Sequence, residues 1–132
     1  METFSIERRM YYHDTDAGGV VYYARYLEHL EEARTEFCRA RGIDIAGLAA
    51  EGTMFTVVRL EVDYKAPARY GETVRIAVRV EKIGNASLSF IQEITRGDVT
   101  LLIARTVWAC VNRDLKGRRI PEPLRSRLLA VI

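Results

Sequence analysis

The hydrophobic period of this sequence changes from helical to strand-like at about Gly52. Residues 20–41 carry a helical pattern whose apolar face consists of Tyr26, Leu30, Ala33 and Phe37. Beyond Gly52, apolar and polar side chains alternate in successive segments, as they do in half-buried strands. One amphipathic helix has to bury its apolar face on the one sheet available. The pattern therefore predicts a long helix packed on an antiparallel sheet.

Five strand segments are predicted, at residues 3–12, 58–65, 74–81, 88–94 and 99–111. Short turns at Gly84-Asn85 and at Gly97 require antiparallel pairing of their neighbours, and residues 99–111 are apolar on both faces, like a central strand. Two shorter helices are predicted at residues 44–51 and from Pro121 through Leu128. This order predicts an α+β fold of the hotdog type, a five-stranded curved antiparallel sheet wrapped around one long central helix, although other α+β sandwiches fit the same pattern.

Length and composition narrow the class of protein. The 132 residues suit one domain, which we expect to span residues 1–132. With 48% hydrophobic and 29% charged residues, the chain has the composition of a folded globular protein. Its net charge of +2 is too small for a nucleic-acid-binding protein. The start lacks the apolar core of a secretory signal, and no apolar run reaches the roughly 18 residues of a transmembrane helix. We therefore expect no transmembrane segment and a cytoplasmic location.

Cysteine and histidine are scarce in this chain. Cys38 and Cys110 are too few and too far apart for a disulfide framework or a zinc knuckle, and Cys38 is expected to be a buried thiol rather than a nucleophile. The dipeptide His13-Asp14 has the letters of an HD metal motif, but such a site needs several more histidines and only His29 remains. The sequence therefore predicts neither a metal site nor another cofactor.

Residues 11–23, which lead into the long helix, are the most informative segment. They place Asp14 and Asp16, and then Gly18 and Gly19, ahead of a helix start, where free backbone N–H groups and the helix dipole favour negative charge. In one interpretation, an aspartate caps the helix and the glycines form a plain turn. In the other, the N–H groups polarise a substrate carbonyl while a carboxylate attacks it or activates water. The residues alone leave both interpretations open.

The run DTDAGGVVYYARYLEHLEEARTEF resembles a motif of the 4-hydroxybenzoyl-CoA thioesterase family of hotdog proteins, most closely of its YbgC-like acyl-CoA thioesterase branch. The similarity continues through FTVVRLEVDYKAPARYGETV and GNASLSFIQEI to about Asn112. The resemblance implies hydrolysis of a small-to-medium acyl-CoA to free acid and CoA by a homodimer or homotetramer. It also implies that Asp16 is the nucleophile or general base and that the backbone N–H of Tyr23 faces the thioester carbonyl.

The sequence departs from this family at several positions. YbgC-like proteins usually carry His where this chain has Tyr23, so an imidazole role is lost there while a backbone role survives. His13 stands where relatives often have Glu. The benzoyl-CoA branch binds nucleotide phosphates with a basic triplet that here reads Gly84-Asn85-Ala86, so other residues have to bind them. The candidate substrate-binding residues are Gly19, Val20, His13, Lys65, Arg69 and Lys82.

Two rival functions remain beside the thioester hydrolase. A hotdog hydratase or dehydratase acting on acyl thioesters needs a His with a carboxylate in its own motif, and neither His13 nor His29 lies in such a context. A non-catalytic acyl-thioester-binding or scaffolding module needs no reactive carboxylate, and the presence of Asp16 argues against it. The sequence therefore predicts an enzyme, a thioester hydrolase.

Overall fold

The computed structural model describes residues 3–132. Its strands are β1 (Phe4–Arg9), β2 (Met54–Tyr64), β3 (Thr73–Ile83), β4 (Ser87–Arg96) and β5 (Val99–Val111). Its α-helices are α1 (Arg25–Ala40), α2 (Ile45–Ala50) and α3 (Glu122–Leu129). β1 is shorter than predicted because a 3₁₀ turn, Tyr12–Asp14, follows it. None of the helices in this described range is long and apolar enough to cross a membrane.

The five strands form one antiparallel sheet in the order β1-β3-β4-β5-β2. Tight turns connect β3 to β4 and β4 to β5, and Gly97 in the second turn has a φ of 58°, a left-handed conformation that glycine adopts without strain. β5 lies between β4 and β2, as its two apolar faces predict. The predicted α+β architecture, a five-stranded antiparallel sheet with one long helix, is confirmed.

Packing of α1 on the sheet forms the core. Leu30, Ala33 and Phe37 are 0% exposed, as their helical spacing predicts. Phe37 meets Phe90 of β4 edge to face, with 5.9 Å between the ring centroids. Full burial of one large apolar side chain stabilises the folded state by about 1.5–3 kcal/mol. This packing fixes the axis of α1 on the sheet, and with it the position of the first helical turn.

The two cysteines are buried and free. Burial raises the pKa of Cys38 to about 12, and it also raises the pKa of Cys110. Both thiols therefore remain protonated at neutral pH, and a protonated buried thiol is a poor nucleophile. The prediction that Cys38 is a buried thiol is confirmed.

The largest difference between the predicted and the observed elements is at the start of α1. The helix begins at Arg25 and not at residue 20. Val20 pairs with Arg69 in an isolated bridge, and the Val21 N–H donates to the Ala68 carbonyl oxygen at 2.9 Å. Because these backbone groups already bond to a distant segment, residues 20–24 do not join the helix.

β2 is an edge strand of eleven residues. Several of its apolar side chains are exposed to a large extent: Val57 by 47%, Val58 by 58%, Leu60 by 37% and Tyr64 by 48%. Within residues 3–132, β2 pairs with β5 alone, so the backbone groups on its other side face no strand. A long, open and apolar edge favours pairing with another chain.

Candidate active site

The turn between β1 and α1 is closed by hydrogen bonds around Asp16. The Asp16 N–H donates to the Val20 carbonyl oxygen at 2.9 Å, and the Gly19 N–H donates to the Asp16 carbonyl oxygen at 3.1 Å. One carboxylate oxygen, Oδ1, accepts the Gly18 N–H at 2.8 Å. Gly19 has a φ of 80°, which explains why a glycine stands there. The result is a tight loop whose Asp16 side chain is exposed.

Neither aspartate of the turn caps α1. The N-cap residue of this helix is Ala24, and no side chain accepts a hydrogen bond from the helix start there. The Asp14 carboxylate instead accepts the Tyr11 N–H at 2.8 Å, within the 3₁₀ turn. The interpretation of Asp14 or Asp16 as the cap of the long helix is therefore wrong, because residues 21–24 separate the turn from Arg25, where the helix begins.

The backbone of Tyr23 lies just ahead of α1. Its carbonyl oxygen accepts the Tyr64 hydroxyl of β2 at 2.8 Å. Burial raises the pKa of Tyr64, so this phenol stays protonated and can donate. No group of residues 3–132 accepts the Tyr23 N–H. The amide is therefore available to an incoming acceptor at the helix start.

A recess of about 320 Å³ adjoins this backbone. It is lined by Val21, Tyr23, Tyr26, Tyr64, Lys65, Ala66 and Pro67. The hydroxyl of Tyr26, one of these lining residues, accepts the Ala68 N–H at 2.9 Å. Other recesses, beside α2, contain no group of the turn. Of these recesses, the one beside Tyr23 lies next to the start of α1.

Asp14 is the buried charge of the region, with 1% of its surface exposed. Its Oδ1 atom lies 3.1 Å from His29 Nε2 and 3.2 Å from Arg25 Nη2, both on α1. His13 Nε2 is more distant, at 3.7 Å, and its side chain is 67% exposed. Burial raises the pKa of Asp14, but the hydrogen bonds from Tyr11, His29 and Arg25 outweigh it, so the pKa is below its ordinary value of 3.8.

The role of His29 as a carboxylate partner was not visible in the sequence. The sequence places neither histidine in the His-carboxylate motif of a hydratase; in the structure, the His29 ring is 7% exposed and pairs with Asp14. One signal was present: Arg25 and His29 are four residues apart, which places both on one face of a helix that follows the turn. The contact between Tyr64 and Tyr23 had no local signal.

The predicted substrate-binding residues divide into those that lie around the turn and Lys82, which does not. Gly19 and Val20 are part of the turn itself, and Arg69 is held beside it by its bridge to Val20. Lys65 lines the recess next to Tyr23. His13 stacks on the Tyr11 ring at the surface, with 5.9 Å between the centroids. These residues lie around the turn.

Lys82 lies elsewhere in the subunit. Tyr64, at the turn, pairs across the sheet with Leu102, Leu102 with Ile94, and Ile94 with Ile76. Lys82 lies beyond Ile76 on β3. At the usual rise per residue of a strand, these two residues are about 20 Å apart. Within the subunit, Lys82 therefore lies apart from Lys65, and its role in binding phosphates stays a prediction.

Comparison with known proteins identifies the family. The profile of the thioesterase-like superfamily matches residues 11–128. The chain belongs to this superfamily. The acyl-CoA thioester hydrolase YbgC of Escherichia coli is 39% identical over 118 residues, which are 88% of each chain. The predicted relation to the YbgC-like branch, and with it the prediction of a thioester hydrolase, is confirmed.

Solved structures of similar sequence agree with this fold. A probable thioesterase from Bartonella henselae is 35% identical, with a TM-score of 0.87 over 91% of this chain and 100% of that one. A hypothetical protein from Thermus thermophilus is 30% identical, with a TM-score of 0.92 over 97% of this chain and 98% of that one. The hotdog fold that the sequence predicts is therefore confirmed.

The first prediction concerns the pH dependence of stability. Because the pKa of Asp14 is lowered in the folded state, its ionisation stabilises the fold above the ordinary value of 3.8, and this stabilisation is lost as the pH falls through the lowered pKa. Asp14→Asn should lower the free energy of unfolding at neutral pH by about 1–3 kcal/mol and flatten its decline in acid. Urea unfolding from neutral pH to pH 3, at one protein concentration, measures both effects. Asp98→Asn, in an exposed turn, is the control, and parallel pH curves for wild type and Asp14→Asn would contradict the account.

Proposed function

We propose that this chain hydrolyses the thioester of a small-to-medium acyl-CoA to the free acid and CoA. The observation that carries the proposal is the turn before α1, where an exposed carboxylate, Asp16, and an unengaged amide, Tyr23 N–H, belong to one short loop. The Escherichia coli relative is named for hydrolysis of acyl-CoA thioesters, which supports the same substrate class.

Asp16 is the reactive carboxylate of the proposed reaction. As a nucleophile, it bonds to the thioester carbon, the C–S bond breaks, CoA leaves as a thiolate, and water hydrolyses the resulting anhydride. As a general base, it takes a proton from water as the water oxygen attacks the same carbon; the C–S bond then breaks, CoA leaves as a thiolate, and the thiolate takes up the proton. Both routes need a carboxylate that solvent and substrate can reach. Asp16 is exposed, and the hydrogen bond that its side chain accepts from the Gly18 N–H engages only Oδ1.

The Tyr23 N–H stabilises the charge that develops on the thioester oxygen. A backbone N–H at a helix start carries a partial positive charge, and a fixed donor of this kind is worth about 10²–10³-fold in rate. The hydrogen bond from Tyr64 to the Tyr23 carbonyl oxygen helps to hold this peptide segment in place. The donor therefore needs no reorganisation when the charge forms.

Lys65 and Arg69 are the proposed contacts for the CoA phosphates within the subunit. Both lie around the turn, and neither side chain forms an ion pair within residues 3–132. Gly19 and Val20 form the backbone wall beside the thioester, and the exposed His13 lies at its rim. Lys82, further along β3, remains a candidate contact in a site that a neighbouring subunit completes.

The Asp14–His29 pair does not support the hydratase alternative. A hydratase needs a His and a carboxylate that touch the substrate, whereas Asp14 is 1% exposed and His29 is 7% exposed. This pair is therefore a structural element beneath the turn, and the thioester hydrolase remains the better account of the site.

A homodimer is the proposed assembly. The open edge of β2 presents exposed Val57, Val58 and Leu60, and the recess beside Tyr23 is open to solvent in the single subunit. A second copy of the chain on this side would pair the edge and cover apolar surface at the same time. Two such dimers could pair again into a tetramer.

The second prediction tests this assembly. At micromolar concentration the protein should sediment as a dimer or a dimer of dimers, because the β2 edge is costly to leave exposed. Val58→Glu, on the edge, should shift the protein toward monomer, whereas Val99→Glu, at the exposed start of β5, should not. A wild-type protein that sediments only as a 15.1 kDa species would contradict the proposal.

The third prediction tests the role of Asp16. In Asp16→Asn the amide oxygen can still accept the Gly18 N–H, so the turn should keep its shape, but the side chain can neither attack nor take a proton. Turnover of acyl-CoA should fall by about 10²–10⁴-fold with an almost unchanged melting temperature. Release of free CoA from a panel of acyl-CoAs, followed with a thiol reagent, measures the turnover.

Asp98→Asn serves as the control for this substitution, since it changes an exposed aspartate far from the turn along the chain. It should leave turnover unchanged. Full activity of Asp16→Asn would contradict the mechanism. Acyl-CoA binding without turnover in the wild type would instead favour the non-catalytic binding module.

A further inference from the structure

Asp14 connects three parts of the structure through its own atoms. Its Oδ2 accepts the Tyr11 N–H at 2.8 Å, and its Oδ1 accepts hydrogen bonds from α1, including His29 Nε2 at 3.1 Å. Its backbone carbonyl oxygen accepts the Tyr22 N–H at 2.8 Å. One residue therefore joins the segment after β1, the segment before α1 and the body of the helix.

The hydrogen bonds of Asp14 lie next to both groups of the proposed reaction, the Asp16 carboxylate and the Tyr23 N–H. Tyr22 directly precedes Tyr23, whose N–H faces the thioester oxygen in the proposed function. Asp14 is two residues before Asp16, and the intervening Thr15 pairs with Val21 in an isolated bridge. Asp14 is therefore connected to both the Asp16 and the Tyr23 segments of the turn.

His29 is the buried anchor of Asp14 on the helix. Arg25 also contacts Asp14, but it is 28% exposed and shared with Glu28, whose carboxylate oxygens lie 2.8 and 2.9 Å from Arg25 Nη1. Partly solvated pairs of this kind contribute little. His29 is 7% exposed and sits on the helix face that the core packing fixes. It is therefore the more rigid of the two attachments.

Few other charges face this pair. On the opposite side of the imidazole ring, Nδ1 has no hydrogen bond within the described residues and lies 3.6 Å from Glu32 Oε1. Glu32 is itself paired with Arg8 of β1 at 3.0 Å. Only the Nε2 side of the ring bonds to the turn, so a change at Nε2 acts on Asp14 directly.

We propose that His29 is a positioning residue, which holds Asp14 and thereby sets the geometry between Asp16 and the Tyr23 N–H. This inference rests on the proposed function for its catalytic consequence. Neither His29 nor Asp14 touches the substrate, because both are buried beneath the turn. Loss of the contact should therefore affect the chemical step and leave substrate binding nearly intact.

The kinetic test compares His29→Phe with His29→Gln. Phe keeps a ring but removes the Nε2 donor, whereas the Gln amide offers an N–H in a similar place. His29→Phe should lower kcat by about 10- to 100-fold with little change in KM, since small misplacements of reacting groups cost rates of this size. His29→Gln should recover most of the loss. Glu32→Gln is the matched control, because it changes the charge on the other side of the same ring, and it should leave kcat unchanged.

A second readout needs no substrate. Amide hydrogen exchange should become faster at Asp16 and Tyr22 in His29→Phe, while β4 and β5 keep the protection of the wild type. His29→Gln should restore slow exchange at both amides. If His29→Phe fails to fold, Asp14→Asn, which weakens the same contact, carries both measurements.

The outcomes separate the two proposals. Faster exchange at the turn with a lower kcat, both recovered by Gln, supports the positioning role. Unchanged exchange, an unchanged kcat, or a loss of activity seen in KM alone would overturn it. If the wild type hydrolyses no acyl-CoA and the turn amides still respond to His29→Phe, the proposed function fails while the structural role of His29 stands.

Discussion

Burial of one face of α1 against the sheet is the interaction on which the rest of the structure depends. Leu30, Ala33 and Phe37 are completely buried, and Phe37 meets Phe90 of β4 edge to face. Because interiors are closely packed, the helix cannot slide or rotate without losing these contacts. Its first turn, at Arg25, is therefore fixed relative to the strands, and the segment from β1 has to reach that point.

The conformation of the turn that carries the proposed active site follows from this fixed helix start. The chain between β1 and α1 closes on itself through bonds of Asp16 and attaches to the 66–69 segment through Val20 and Val21. Its one buried charge, Asp14, would be unstable without partners, and α1 supplies them. The packing of α1 therefore fixes the position of the turn through the contacts of buried Asp14, while the Asp16 carboxylate and the Tyr23 amide remain accessible.

Much of this arrangement could be predicted from the sequence because it depends on local periodicity. The helix and the strands are visible as patterns, and the motif around Asp16 pointed to the family. The start of α1 was misplaced because the bonds that end the turn join Val21 to Ala68, a residue distant in the chain. The pairing of Asp14 with His29 depends on burial by the folded chain, which no spacing rule reveals. One domain over residues 1–132 and a cytoplasmic location stay predictions from composition.

The central claim is that a backbone amide at Tyr23, and not its side chain, stabilises the reacting thioester oxygen. Replacing the peptide N–H of Tyr23 by an ester oxygen removes the donor and keeps the phenol, and Tyr23→Phe does the reverse. The turnover of acyl-CoA by these two proteins is the most direct measurement. The account predicts a loss of about 10²–10³-fold for the ester and substantial activity for Phe. An active ester variant, or a folded but inactive Tyr23→Phe, would contradict it.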